Sequence, residues 1–469
     1  MVIYLFVCKL VLYIKNLPQM KRNLLLLVVL VNSIMLSAQD APKTEIKYRR
    51  SSLNMILLES ESFPMKDVVI GSWGNYPFPS KYNNHNLDSR SITPEFMNLT
   101  DQELIANGYL KDTLRTPLEL LKATAKLQGL RYLTADSTVA VALPTEKVMY
   151  QLKIDKILRE KQIAKQMVSK WYNRNAKGEL NTSLIEERGL FAANSADVAT
   201  ANTAEGGVAI LKEIGKELIS NSFTTFTKID FYENEPVARL VRDIAKRELA
   251  KKMASAPPIV VDKAMKLIDL AYDKAKDGYT LVSKTWLYQL DWNDTTLNKL
   301  YDIWDKPAEF DNADFFKMKF IGSNYNTSTI LFSKEGRTIE QMIDIALVRN
   351  IDNTFAKLQK EYDVFKPKVP ILGVGPVTAD IGMKEGLKGG EKFEVLEMIV
   401  DPKTGASEYK VVGKVKVDKK KVWDNQYNLN DGKEVALDKD GNPIPQLTAT
   451  SFKGGGSKLY PGLLLKQVK

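Results

Sequence analysis

The sequence predicts an α+β protein in three parts: an irregular N-terminal region, a middle domain of helices and antiparallel strands, and a small C-terminal β-barrel. Three observations predict it. Residues 72–86 crowd aromatics among Pro, Gly and Asn with no helical or alternating period. Residues 143–366 switch repeatedly between a period near 3.6 and a period of two. Residues 369–469 carry almost no helical period and are cut into short strands by Gly-rich turns.

The first 38 residues contain no Asp or Glu. Lys21-Arg22 precede an apolar run at 24–31, and Leu36-Ser37-Ala38 ends it with small residues, the pattern of a secretory signal peptide over 1–38. A second apolar stretch at 1–13 makes Met20 the expected true start; the alternative is an uncleaved, two-part membrane anchor. Neither stretch reaches the roughly 18 apolar residues that span a bilayer. Cleavage after Ala38 exposes Gln39 rather than a lipidated cysteine. The expected location is therefore exported: periplasmic, secreted or outer-membrane associated, with no transmembrane span in the mature chain.

About 430 residues follow, enough for two to four domains. The 44% apolar and 26% charged fractions are those of a globular protein. Net charge is +10 for the 469 residues; losing Lys9, Lys15, Lys21 and Arg22 leaves 63 basic against 57 acidic residues, or +6. An excess that small, spread that widely, argues against nucleic acid as a partner, and the Lys419–Lys421 run reads as a solvated turn. The only cysteine, Cys8, lies before the expected cut, so packed cores rather than disulfides must stabilise the fold.

Residues 39–142 read as a wrap. Ser72-Trp73-Gly74-Asn75-Tyr76-Pro77-Phe78-Pro79-Ser80 suits turn and extended geometry. Inside this region Thr116-Pro117-Leu118-Glu119 opens a helix that Gly129 stops. In 143–366, Thr145 caps a helix whose single stripe runs Met149, Leu152, Ile163, Met167, Trp171. A helix at 207–220 feeds a strand at 223–232, and helices at 236–253 and 260–276 flank Pro257-Pro258. Val282, Trp286, Tyr288, Leu290 and Trp292 alternate with Ser283, Thr285, Gln289 and Asp291, a half-buried strand. Phe316, Met318 and Phe320 alternate with lysines before Gly322-Ser323-Asn324, which predicts a hairpin returning through 328–332. Thr338-x-x-Gln341 caps a long helix with Leu347, Ile351, Phe355, Leu358 and Tyr362 as its stripe. The mixture predicts a sheet covered on one face. The barrel domain spans 367–469, after Pro367 and Pro370.

The run Ile381-Gly382-Met383-Lys384-Glu385-Gly386-Leu387-Lys388-Gly389-Gly390, with Thr404-Gly405, 412–417 and Tyr460-Pro461-Gly462-Leu463, resembles the C-terminal β-domain of flagellar assembly protein T. That resemblance implies positive-φ glycine turns, a small closed barrel and an interaction role, and it transfers no catalytic residue. Tyr48-Arg49-Arg50-Ser51-Ser52-Leu53, 166–173 and 184–190 resemble uncharacterised exported envelope proteins of Bacteroidetes-type bacteria, which implies a location and no activity.

The chemistry-bearing residues are few. His85, the one histidine, is expected to be solvated or bonded within its loop, because no second imidazole or thiol accompanies it for a metal or triad. Gly373-Val374-Gly375-Pro376 lacks the third glycine of a phosphate fingerprint and leads into a strand. Carboxylates at Glu59 and Glu61, Glu186 and Glu187, or Asp291 and Asp294 beside Trp292 could serve a glycan hydrolase, which needs only an acid and a base or nucleophile. Solvated acids on a strand face explain the same pattern. No catalytic, cofactor-binding or metal residue is nominated, and no cofactor is expected. The function expected is a non-enzymatic envelope scaffold acting on envelope proteins, with a cell-wall hydrolase or a glycan-binding protein as alternatives. Trp73, Tyr76, Phe78 and Tyr82 are the candidate partner anchors, or else they pin the wrap to its own domain.

Overall fold

The computed structural model describes residues 48–107, 145–192, 216–331, 337–400, 407–427, 446–456 and 458–468, all within the compact unit Lys47–Lys469. The expected signal segment, the helix at 116–129, most of the helix at 207–220 and the turns at 402–405, 431–432 and 440–443 lie outside the described residues.

A mixed sheet organises the chain from Ser52 to Leu331. Strand β1 (Ser52–Leu58) is buried along its whole length. On one side it pairs in parallel with β2 (Asn83–Asn84) and β3 (Ser91–Ile92), on the other with β4 (Ser222–Glu233). An antiparallel meander continues through β5 (Gly278–Leu290) and β6 (Met318–Leu331). Around β1, the first region has the short helix α1 (Lys66–Gly74), α2 (Asp101–Ala106) and otherwise irregular chain.

The sheet is covered on both faces, not one. Leu53, Met55 and Leu57 of β1 face α1 and the long helix α10 (Ile339–Glu361), against Ile343, Leu347, Ile351 and Phe355. Ile56 and Leu58, one residue out of phase, face α3 (Glu146–Glu160) and α4 (Ile163–Trp171) together with Phe226, Trp286 and Tyr288. The polar alternation of β5 suggested a wet face because Ser283 and Thr285 are hydrophilic, yet both are fully buried. Thr285 shares a 2.9 Å hydrogen bond with Thr227, and Ser283 bonds Asn350 and Thr354 beneath α10. Small hydroxyls paired across a dry interface mimic a solvated pattern.

Two other expectations are corrected. The stripe from Met149 to Trp171 belongs to two helices, because Gln162 takes a left-handed conformation (φ 50) between them. The hairpin at Gly322 is absent; β6 runs straight through as one strand, with a bulge opposite Leu287 and Tyr288. Gly322 is there for proximity, since a β-carbon would meet the Tyr362 ring at 2.1 Å. The Tyr362 hydroxyl accepts a hydrogen bond from Ser323 N at 3.1 Å.

Beyond β5, α8 (Asp294–Asp302) and α9 (Pro307–Asn312) enclose a satellite core of Leu300, Phe310 and Phe316 with Trp171 of α4. The capping box on α10 is formed as read, with Thr338 and Gln341 each bonding the other's backbone N–H. A six-stranded closed barrel follows, built from β7 (Val369–Val374), β8 (Val377–Ala379), β9 (Lys392–Val400), β10 (Ser407–Val417), β11 (Thr450–Gly454) and β12 (Leu464–Gln467) in the order β10-β11-β8-β7-β12-β9. Val369, Ile371, Phe393, Val395, Val415 and Phe452 fill it. Gly389 turns the chain into β9 at φ 102, where a β-carbon would strike the Lys419 backbone at 2.7 Å. Tyr48, two residues before Arg50, packs on Leu396 and Leu464 of the barrel.

Candidate functional site

Between β4 and β5 the sheet sends out two helices. Strand β4 passes directly into α6 (Asn234–Lys252), the chain turns through Pro257, and α7 (Pro258–Ala275) returns to β5. The base is fixed by Asn234, whose amide donates to Ile330 O at 3.0 Å and accepts from Thr280 Oγ1 at 2.9 Å. Gly278 closes the return at φ 120, where a β-carbon would lie 2.0 Å from Ile330 O. The pair is held by Lys246 to Asp269, by the Tyr272 hydroxyl donating to Glu235 at 2.8 Å, and by Arg242 over the Tyr272 ring at 4.4 Å.

Asn234 is the only buried residue in either helix. Val237, Leu240 and Val241 of α6 are 60–62% exposed, and Leu267 of α7 is 67% exposed, with Ile244, Ile259, Val260 and Leu270 also in solvent. Full burial of one such side chain is worth about 1.5–3 kcal/mol, so the face leaves a large contact energy unused. Val237 and Val241, with Ala271 and Ala275, line a groove of about 510 Å³ floored by Thr280, Thr329 and Leu331. Val237, Val241 and Ile244 follow a 4-3 spacing, as do Val260, Ala264, Leu267 and Ala271, the knob spacing of helix-on-helix packing.

The charges are equally one-sided. All six carboxylates of the two helices are paired within the hairpin: Glu235 with Arg239, Asp243 with Arg242, Glu248 with Lys251, Asp262 with Lys266, Asp269 with Lys246 and Asp273 with Lys276. Among the described residues, Arg247, Lys252, Lys263 and Lys274 have no such partner.

The aromatic segment nominated from sequence faces the other way. Trp73, Tyr76 and Tyr82 are 1–5% exposed and lie in the core under α10, with Phe78 half-buried against them. Trp73 Nε1 donates to Arg90 O at 3.1 Å, the Tyr76 hydroxyl to Asp352 at 2.5 Å, and the Tyr82 hydroxyl to Phe365 O at 2.7 Å. The segment therefore pins the wrap to its own domain, with Trp73, Tyr76 and Tyr82 out of a partner's reach. Its partners under α10 lie some 280 residues away in sequence, beyond the reach of any local pattern.

His85 is fully buried, not solvated, and stacks on Trp171 at 4.9 Å. Nε2 faces Met167 O at 3.0 Å and carries the proton, while Nδ1 accepts from Arg188 at 2.8 Å. Burial, and then the Arg188 charge, hold its pKa well below the usual histidine value, so the ring is a neutral structural link. Glu61, Glu186, Glu187, Asp291 and Asp294 are exposed, and Glu59 half-buried. Among the described residues Asp352 is the only buried carboxylate, and no three Asp, Glu, His or Cys side chains gather as a metal site. Asp155, Asp311 and Asp314 share a groove of about 520 Å³, but Asp311 is paired to Arg174 at 3.0 Å and Arg159, Lys165 and Lys317 line the same walls. No described helix is long and apolar enough to cross a membrane.

No family model and no curated protein sequence matches the chain. Its most distinctive surface is the α6–α7 hairpin. Sequence reading located both helices but not their exposure. The signal was present in the breadth of the apolar arc: Val237, Ala238, Leu240, Val241, Ile244, Ala245 and Leu249 cover more of α6 than one neighbouring helix can.

Proposed function

We propose that this chain is an exported, non-enzymatic scaffold protein of a cell-envelope assembly, and that it engages its partner through the α6–α7 hairpin. The observation that carries this reading is the aliphatic face of Val237, Leu240, Val241 and Leu267, which the chain's own fold leaves in solvent. The signal-like first 38 residues and the resemblance to exported envelope proteins support the compartment.

The occupant that fits is an amphipathic helix with acidic flanks from another protein. The two helices present apolar residues at knob spacing, the groove between them has small alanine walls, and among the described residues four cations of the two helices have no ion-pair partner. A second copy of the hairpin brings no unpaired carboxylate to answer them.

A photo-crosslinker placed at Val241 or Leu267 tests this in the native envelope, with Tyr325, 63% exposed on β6, as the control position. Mass spectrometry should map the adduct from either hairpin position to an acidic amphipathic helix of a different protein. An adduct to a second copy of 234–275, or to lipid, overturns the assignment of the partner. Adducts formed equally from Tyr325 overturn the hairpin as the docking face.

A further inference from the structure

A cavity of about 120 Å³ lies where the chain before β1, the loop at Lys81, the connection after α10 and strand β12 converge. Five cations line it, Arg50, Lys81, Lys366, Lys368 and Lys466, against one carboxylate, Asp363. Asp363 is shared between Lys366 at 3.1 Å and Lys466 at 2.6 Å. Arg50 and Lys81 are paired to Glu217 at 3.1 Å and Asp380 at 2.9 Å, neither of which lines the cavity. Counting both of those outer carboxylates with Asp363, five positive charges face three negative ones.

Lys368 is the cation left over. Among the described residues it has no carboxylate at ion-pair distance, and its ammonium sits 4.1 Å over the neutral Tyr409 ring. Burial, and then the neighbouring Arg50 and Lys466, lower its pKa from the usual lysine value, while Glu217 and Asp363 oppose them. The side chains of Arg50 and Lys366 are only 3% exposed, so water screens this excess poorly. Like charges held together out of water are costly unless an anion answers them.

We propose that this cavity is an anion site for a phosphate-type oxyanion, with Lys368 as its principal contact and Arg50 and Lys466 flanking it. A phosphate group near neutral pH carries about −1.5 to −2, enough to answer most of the excess of two. Its volume suits one tetrahedral group and no nucleotide. Because the lining comes from the start of β1, the connection after α10 and the barrel strand β12, a bound anion would tie sheet to barrel.

Thermal melting of the full chain in inorganic phosphate against chloride at equal ionic strength tests the site, with glycerol phosphate as a second probe. A saturable rise in Tm, on the order of 2 °C well above Kd, is expected in phosphate and not in chloride. A rise with both probes assigns a phosphomonoester, and a rise with phosphate alone assigns the free anion; either supports the site. Lys368→Met should weaken phosphate binding at least tenfold by calorimetry while leaving the phosphate-free Tm unchanged or higher, which a purely structural lysine would not do. Lys466→Gln should weaken binding as well. No phosphate-specific rise, or the same affinity in both variants, overturns the proposal.

Discussion

Helix α10 and the α6–α7 pair stand on the same sheet and use their apolar residues in opposite ways. Helix α10 buries 12 of its 23 residues, including Leu347, Ile351, Phe355 and Leu358 in the main core. Helices α6 and α7 together bury only Asn234. Both have apolar residues at helical spacing. What differs is the number of neighbours: α10 lies against the sheet and α1, whereas α6 and α7 have, among the described residues, each other and little else. An apolar stripe thus defines a surface that wants covering, and the fold decides whether the chain itself supplies the cover.

The sharpest break between the two is a matched pair of truncations. Phe355→Ala should destabilise by about 3–5 kcal/mol, because a buried ring leaves a cavity in a packed core. Leu267→Ala should change stability by less than about 0.5 kcal/mol, since that side chain is already in water. Denaturant unfolding measures both. Equal losses would mean that the hairpin face is covered by the chain after all.

The next effect belongs to the polar seam of α10. Asp352 is 5% exposed, accepts from Tyr76 and lies 3.6 Å from Lys384 of the barrel. Burial raises its pKa from 3.8 to about 6, against the opposing pull of Lys384 and the Tyr76 hydrogen bond. The folded state therefore binds more protons than the unfolded chain between those values, so this group's contribution falls as pH rises from about 4 to 6. The fall should amount to roughly 2–3 kcal/mol, and Asp352→Asn should flatten it. Urea unfolding of both proteins across that window would expose an unchanged slope, which would move the coupling elsewhere.

A small effect is also expected from removing the hairpin altogether. Glu233 pairs with Tyr279 across the ladder, so a two-residue Asn-Gly turn can join β4 to β5 in place of the two helices. The remaining chain should melt cooperatively, within a few degrees of the parent. Unfolding of the shortened protein would show instead that α6 and α7 complete the sheet.

Much of this architecture was legible in the sequence because its signals are local. Thr338 with Gln341 marked the start of α10, Pro257-Pro258 marked the hairpin's tip, and the glycines around 386–390 marked the barrel turns. What escaped depended on distant neighbours. Ser283 and Thr285 gave no sign that α10 and Thr227 would satisfy them, and Gly322 gave none that Tyr362 would cross it. The candidate surface was half legible, since periodicity fixes which residues share a face but not whether anything covers it. The cation cavity was not legible at all, because Arg50, Lys81, Lys368 and Lys466 stand in four separate stretches that only the fold unites.

The place of β1 in the sheet imposes an order of events on the chain. Its seven residues form a full ladder only with β4, whose first residue, Ser222, lies far downstream of Ser52. A chain made from its N-terminus must therefore carry this sticky segment for about 170 residues, from Ser52 to Ser222, before its long partner is made. Among the described residues, the mates at hand in the meantime are β2 and β3, two residues apiece and drawn from the next forty residues. They cap the opposite edge of β1 and leave its other side open, so the strand is chaperoned from within until β4 arrives.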